Sequence, residues 1–187
     1  MTFLPDHKSA GLSEVFVAFP DTSEPLLRYT ESVLRGPSPL SVAQRELLAA
    51  FVSGLNACGH CYGTHTGVAE AFGAPEGLLK DLIEDIDASA VEERMKPIMR
   101  FARKLTLTPS RMVQSDADAV YRAGWDSKAL HDAISVCSLF NFFNRYVSGI
   151  GIDTPPDLAR QRGQMLAEIG YAGLIEKLGL KKAGKAA

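Results

Sequence analysis

The sequence predicts an all-α fold. No stretch of strand length alternates apolar and polar residues with a period of two. Apolar residues instead recur at helical spacing, in segments bounded by Gly, Pro and capping residues. A third observation is internal. Val68 to Ile83 aligns with Ala119 to Ile134, placing Gly73 over Gly124, Leu79 over Leu130, Asp81 over Asp132 and Ile83 over Ile134. That register suggests a weak internal duplication of a helix–Gly–helix pair within a helical bundle.

Residues 1–22 read as an irregular N-terminal arm, interrupted by Pro5, Gly11 and Pro20 and carrying the apolar patch Val15, Phe16, Val17 and Phe19. One domain then covers 23–180, and 181–187 (KKAGKAA) reads as a frayed tail. Glu24 to Leu34 is a short helix, ended by Gly36-Pro37-Ser38-Pro39. Ser41 and Gln44 match a capping box for the next helix, through Ala57, whose apolar stripe is Ala43, Leu47, Leu48, Phe51 and Leu55. Gly59 to Phe72 follows as a helix stopped by Gly73. Pro75 suits the first turn of a helix reaching about Asp85, and the acidic stretch Glu84 to Glu93 reads as a solvated turn.

Val91 to Leu107 is a helix whose start Pro97 can displace, and Pro109 ends it. Gln114 to Ala123 is stopped by Gly124, and Asp126 caps a helix from Ser127 to about Val147. That helix is apolar on several faces, which marks it as central or as a subunit interface. Gly149 to Pro156 reads as a loop, and Asp157 to Glu168 and Tyr171 to Leu178 as the last helices.

The chain has 187 residues, 46% hydrophobic and 22% charged, which suits a single domain with a sizeable core. A net charge of −2 does not suggest nucleic acid or a membrane surface as partner. Three cysteines, two of them clustered, do not make a secreted disulfide framework. The start MTFLPDHKSAGLSEVF lacks a basic region followed by a long apolar run, so no signal peptide is expected and the reading is cytoplasmic.

The chemistry is concentrated between Glu46 and His65: ELLAAFVSGLNACGHCYGTH. Cys58 and Cys61 fall in the first turn of a helix, where free N–H groups and the helix dipole favour a thiolate. Their spacing suits an intramolecular disulfide: one cysteine attacks an oxidant and becomes a sulfenic acid, and the other resolves it. His65 lies one turn beyond Cys61 on the same face and can take a thiol proton. Glu46, beside the small residues Ala50, Ser53, Gly54 and Ala57, can meet the thiol helix across a thin gap. Half-buried there, it is expected to have a raised pKa. A structural zinc site would need a fourth-ligand set that the chain supplies only in the unusual form of Glu46, His60 and His65. Two inert core cysteines are the other bland alternative.

The pattern E-x11-C-x-H-C-x3-H, followed by G-x-A-x-A-x-G, resembles the alkylhydroperoxidase D-like group (AhpD-like) of the carboxymuconolactone decarboxylase superfamily. The resemblance implies that Cys61 is the peroxidatic thiol, that Cys58 is its proton donor and disulfide partner, that Glu46 and His65 form a proton relay, and that His60 flanks it. It implies a small hydroperoxide as substrate and a dithiol as reductant, such as a lipoylated or thioredoxin-like protein. No cofactor is expected, and a homo-oligomer, trimer or hexamer, is. In the best-studied members the motif lies late in the chain. Here it lies in the first half, as in a subgroup labelled peroxidase-related. A lactone decarboxylase would need an acid–base pocket but no vicinal thiols. A redox sensor would use the same disulfide to change a partner surface.

The run NFFNR adds Asn141, Asn144 and Arg145 as candidates for the pocket lining, with Arg145 orienting an anionic group. The competing expectation is that they cap or bridge buried backbone. Cys137, among apolar neighbours, reads as inert core, His131 as a surface residue and Trp125 as a gap-filling turn residue.

Overall fold

Ser41 begins the helix around which the others are laid. Its Oγ accepts the Gln44 N–H at 3.1 Å, and Gln44 Oε1 accepts the Ser41 N–H at 2.9 Å, closing the capping box. The helix that follows, Val42–Leu55, is buried at every residue from Arg45 to Ser53. Its apolar residues therefore do not face one side of a half-wet helix, as the stripe suggested. Leu47, Leu48, Phe51 and Val52 bury opposite faces, and the helix is packed on by five others.

The computed structural model describes residues 2–9 and 11–180. Among them the helices are α1 (Leu12–Ala18), α2 (Pro20–Arg35), α3 (Val42–Leu55), α4 (Gly59–Ala71), α5 (Leu78–Glu84), α6 (Lys96–Leu107), α7 (Gln114–Arg122), α8 (Ser127–Ile150) and α9 (Pro156–Lys177). No strand occurs among the described residues, so the fold is all-α. None of the described helices is long and apolar enough to cross a membrane. The tail 181–187 lies outside the described residues.

The irregular reading of 1–22 is corrected. Glu14 Oε2 accepts the Gly11 N–H at 3.0 Å and starts α1, which buries Val15 and Phe16. Pro20 occupies the first position of α2, where its missing N–H costs nothing, so a residue taken as a breaker opens a helix. The helix expected from Pro75 starts at Leu78 instead, because Gly77 turns the chain with φ +83°. Pro97 does displace its helix: a 3-10 turn over Glu93–Met95 precedes α6. Gly73 and Gly124, paired by the internal echo, both stand just past a helix, with φ +95° and +86°.

α4 lies between α3 and α9, and α9 is its most extensive partner. The reason is glycine. A Cβ on Gly67 would sit 2.6 Å from the Arg160 carbonyl oxygen, and one on Gly163 would sit 2.1 Å from that of Thr64. Backbone therefore meets backbone, and α9 closes over the helix that carries the thiols. α9 itself breaks at Gly170 (φ 64°), where Glu31 Oε2 accepts the N–H groups of Tyr171 (2.8 Å) and Ala172 (3.2 Å) and starts the second segment. This matches the two helices expected from the sequence. α8 is capped by Asp126 through the Ala129 N–H at 2.8 Å and runs under α2, α3 and α6.

Candidate active site

The turn between α3 and α4 sets the thiols. Ala57 adopts φ +53°, the Ala57 N–H reaches the Gly54 carbonyl at 3.0 Å, and the Cys58 N–H reaches the Ser53 carbonyl at 3.0 Å. This is a Schellman closure with alanine where glycine is usual, so the turn stores about 1 kcal/mol of strain beside the site. It leaves Cys58 as the N-cap of α4 and Cys61 one turn in. Both are unpaired thiols, each 4% exposed.

The two sulfurs share one hydrogen-bonding system. The Cys61 thiol and the Cys61 backbone N–H both donate to the Cys58 sulfur, and the side chains of Asn144 and Ser148 add to it. The thiol bond from Cys61 is the main cause that pulls Cys58 from 9.0 down to about 6, against its burial. Donating to Cys58 and being buried push Cys61 well above its ordinary value. At neutral pH the charge rests on Cys58 and the proton on Cys61.

Across the α3–α4 interface, Glu46 is fully buried and bonded on both oxygens. Its Oε2 lies 2.6 Å from His65 Nδ1, and its Oε1 accepts Arg35 Nη1 at 2.5 Å. Burial pushes this carboxyl up, but the charge and hydrogen bond of His65, then those of Arg35, outweigh it and hold the group below its ordinary value. The raised pKa expected for Glu46 is thus corrected: the sequence offered no sign that Arg35, at the end of α2, would reach the carboxylate. Arg35 also lies 5.4 Å from the ring centres of Phe72 and Tyr171. Phe140 packs edge-on against His65, with ring centres 4.4 Å apart.

His60 bonds through Nδ1 to Thr154 Oγ1 at 2.7 Å. Burial, then the charges of Arg162 and His65, push its pKa down to about 4, so it is neutral at physiological pH. Nothing in the sequence pointed to Thr154.

The NFFNR run divides. Asn56 Nδ2 donates to Asn144 Oδ1 (2.9 Å) and Asn141 Oδ1 (3.1 Å), and Asn144 Nδ2 donates to Ser53 Oγ (2.9 Å). Asn144, buried beneath both thiols, ties α8 to the α3–α4 turn. Asn144 thus meets the thiols themselves, while none of the three residues is among those that border the cavity over Cys61. Arg145 is exposed and bends back to the Asn141 carbonyl (2.7 Å) and Oδ1 (2.9 Å), because its position on α8 turns away from α4. Asn141 is held by Thr106 and the Cys137 carbonyl. Cys137 is buried against Thr106 Oγ1 at 3.3 Å, and burial raises its pKa. Trp125 is buried with its Nε1–H on the Arg94 carbonyl at 2.7 Å, and His131 is exposed.

A cavity of about 380 Å³ opens onto Cys61, His60, Thr64 and His65. Its walls come from α1, α8 and α9, and apart from the site itself they are mostly apolar, including Leu12, Phe16, Phe143 and Leu166. The spacing Gly59, Gly63, Gly67 in the sequence signals a helix closely overlaid on α4, but not which one. Among the described residues no group of three or more His, Cys, Asp and Glu side chains is placed to hold a metal ion.

The carboxymuconolactone decarboxylase family profile matches residues 20–104, the segment that holds Arg35, Glu46 and the thiols. The uncharacterized protein YdfG of Bacillus subtilis (strain 168) is 25% identical over 114 residues, 61% of this chain and 78% of that one. An uncharacterized peroxidase-related protein from Silicibacter sp. TM1040 superposes with a TM-score of 0.73 at 21% identity, over 82% of this chain and 78% of that one. The alkylhydroperoxidase AhpD core of a second uncharacterized peroxidase-related protein, from Ralstonia eutropha JMP134, gives a TM-score of 0.73 at 17% identity, over 80% and 78% of the two chains. These two structures share the helical fold described above.

Proposed function

We propose that the chain is an AhpD-like member of the carboxymuconolactone decarboxylase superfamily and a thiol peroxidase that reduces organic hydroperoxides with the Cys58–Cys61 pair. One observation carries the reading: two bonded thiols of opposed acidity, of which only Cys61 borders the cavity. Cys58 is the resting thiolate, and Cys61 is the sulfur a substrate would meet.

The chemistry runs in two steps. Cys61 attacks the distal oxygen of ROOH as its proton passes to the Cys58 thiolate. An S–O bond forms, the O–O bond breaks, and RO⁻ takes a proton from His65 to leave as ROH. Cys58 then attacks the Cys61 sulfenic acid. The S–S bond forms, the S–O bond breaks, and the departing hydroxide takes the Cys58 proton as water. Glu46 holds Nδ1 of His65, so the other ring nitrogen is the one that exchanges protons, and the carboxylate stabilises the imidazolium. His60, neutral and fixed by Thr154, flanks the thiols without adding charge. A dithiol, such as a dihydrolipoyl group or a thioredoxin-like protein, reopens the disulfide by exchange.

Turnover of cumene hydroperoxide with dihydrolipoamide as reductant tests the reading. Consumption that is lost in Cys61→Ser supports it. No consumption by the wild type above the uncatalysed rate contradicts it.

A further inference from the structure

We propose that the cavity over Cys61 selects an amphiphilic hydroperoxide, with an alkyl or aryl body among the apolar side chains and an anionic group at Arg162. The inference rests on the peroxidase reading and extends it to a substrate class.

Three observations support it. First, about 380 Å³ holds about a dozen water-sized groups, far more than hydrogen peroxide fills, and most of the wall is apolar. A substrate with only polar atoms would leave that wall wet.

Second, the closed end carries two orphaned hydroxyls. Tyr171 Oη and Thr64 Oγ1 are buried without a hydrogen-bond partner among the described residues, in side chains that are 4% and 7% exposed. Both residues line the cavity with Cys61. Buried hydroxyls find partners, and a rotation of either side chain would bring its hydroxyl, covered at rest, into the space where a substrate would lie. The two oxygens of a hydroperoxide supply two acceptors. A donor bonded to the oxygen that becomes RO⁻ stabilises charge as it develops, while the S–O bond forms and the O–O bond breaks.

Third, the open side is positive. Arg162 is half-buried at the cavity and makes no hydrogen bond or ion pair among the described residues. Lys177 joins it there, its Nζ bonded among the described residues to the Met165 sulfur. The single carboxylate of the lining, Glu14, accepts the Gly11 N–H and lies against Gly11 as Arg162 does, but makes no bond to Arg162 among the described residues, so the side keeps a net positive charge. A guanidinium without a partner at the mouth of an apolar cavity recognises a carboxylate or similar anion.

The test compares cumene hydroperoxide with its para-carboxylate and the methyl ester of that acid, which share one reacting end. Each is read as kcat/KM in the wild type, Arg162→Gln and Arg162→Lys, and binding of the unreactive 4-isopropylbenzoate is measured by calorimetry. The expected result is a carboxylate favoured at least tenfold over the ester, as a charge-assisted hydrogen bond implies. That ratio should fall towards one in Arg162→Gln, survive in Arg162→Lys, and be matched by 4-isopropylbenzoate binding. Equal turnover of acid and ester, or a ratio unchanged in Arg162→Gln, overturns the inference and leaves the peroxidase reading standing. Binding of 4-isopropylbenzoate without turnover of any hydroperoxide overturns both.

Discussion

His65 Nδ1 lies 2.6 Å from Glu46 Oε2, across the interface between the helix that carries the thiols and the buried helix beneath it. The pair resembles a catalytic dyad in which a carboxylate orients an imidazole. Against complete burial, His65 and then Arg35, on the other carboxylate oxygen, hold Glu46 below its ordinary value. The carboxylate is thus a fixed anion that holds His65, and in the proposed reaction His65 is the group that moves protons.

Glu46→Gln removes that anion and keeps the shape. Peroxide turnover should fall about ten- to a hundredfold, the range for loss of an effective acid–base group. Stability should fall by about 3 kcal/mol, because Arg35 is left mostly buried without its counter-charge. Steady-state rates and urea denaturation read the two effects separately.

The thiols should titrate unequally. Absorbance of the thiolate near 240 nm should rise with a midpoint near pH 6, assigned to Cys58. In Cys61→Ala the main donor is gone, and the midpoint should move up towards the ordinary value of 9.0. A midpoint that stays near 6 in Cys61→Ala would assign the low value to another cause.

Acid should weaken the fold through His60. Its folded pKa of about 4 lies below the ordinary 6.5, so the unfolded chain takes the proton first as pH falls. The full stability is present above pH 6.5 and is lost down to about pH 4, where the loss levels off at about 3 kcal/mol. Glu46, depressed below 4.5, adds a further loss as pH drops through its own folded value. Chemical denaturation from pH 7.5 to 4 should follow this slope in the wild type and a shallower one in His60→Gln.

Gly163→Ala tests the contact that closes α9 over α4. The added Cβ would lie 2.1 Å from the Thr64 carbonyl oxygen, which backbone cannot yield cheaply. Overpacking of this kind costs about 1–3 kcal/mol, and thermal unfolding should show it. Peroxide turnover should drop as well, since Thr64 and Tyr171 border the cavity that α9 helps to form.

Much of this arrangement was legible because it is local. The capping box of Ser41 and Gln44, the start of α4 beside Cys58, the stop at Gly124 and the break in α9 near Gly170 are all signalled within a few residues. Glu46 and His65 could be brought together from helical spacing and small residues alone. The sign of the Glu46 shift could not, because it turns on how closely His65, and then Arg35 from a separate helix, approach the carboxylate. The opening helices were hidden because Pro20, at a first-turn position, looks like a breaker when its neighbours are unknown. Arg145 stood out for its greasy surroundings, yet its place on α8 sends it to the surface. The cations at the cavity are Arg162 and Lys177, which have no motif of their own.

The division of labour between the thiols is the central claim, and trapping the oxidised sulfur tests it most directly. Protein treated with one equivalent of cumene hydroperoxide is labelled with a sulfenic-acid probe and mapped by mass spectrometry, for the wild type, Cys58→Ser and Cys61→Ser. The predicted result is a Cys58–Cys61 disulfide in the wild type, a stable label on Cys61 in Cys58→Ser, and no label in Cys61→Ser. A label on Cys58 in Cys61→Ser, with none on Cys61 in Cys58→Ser, would contradict it.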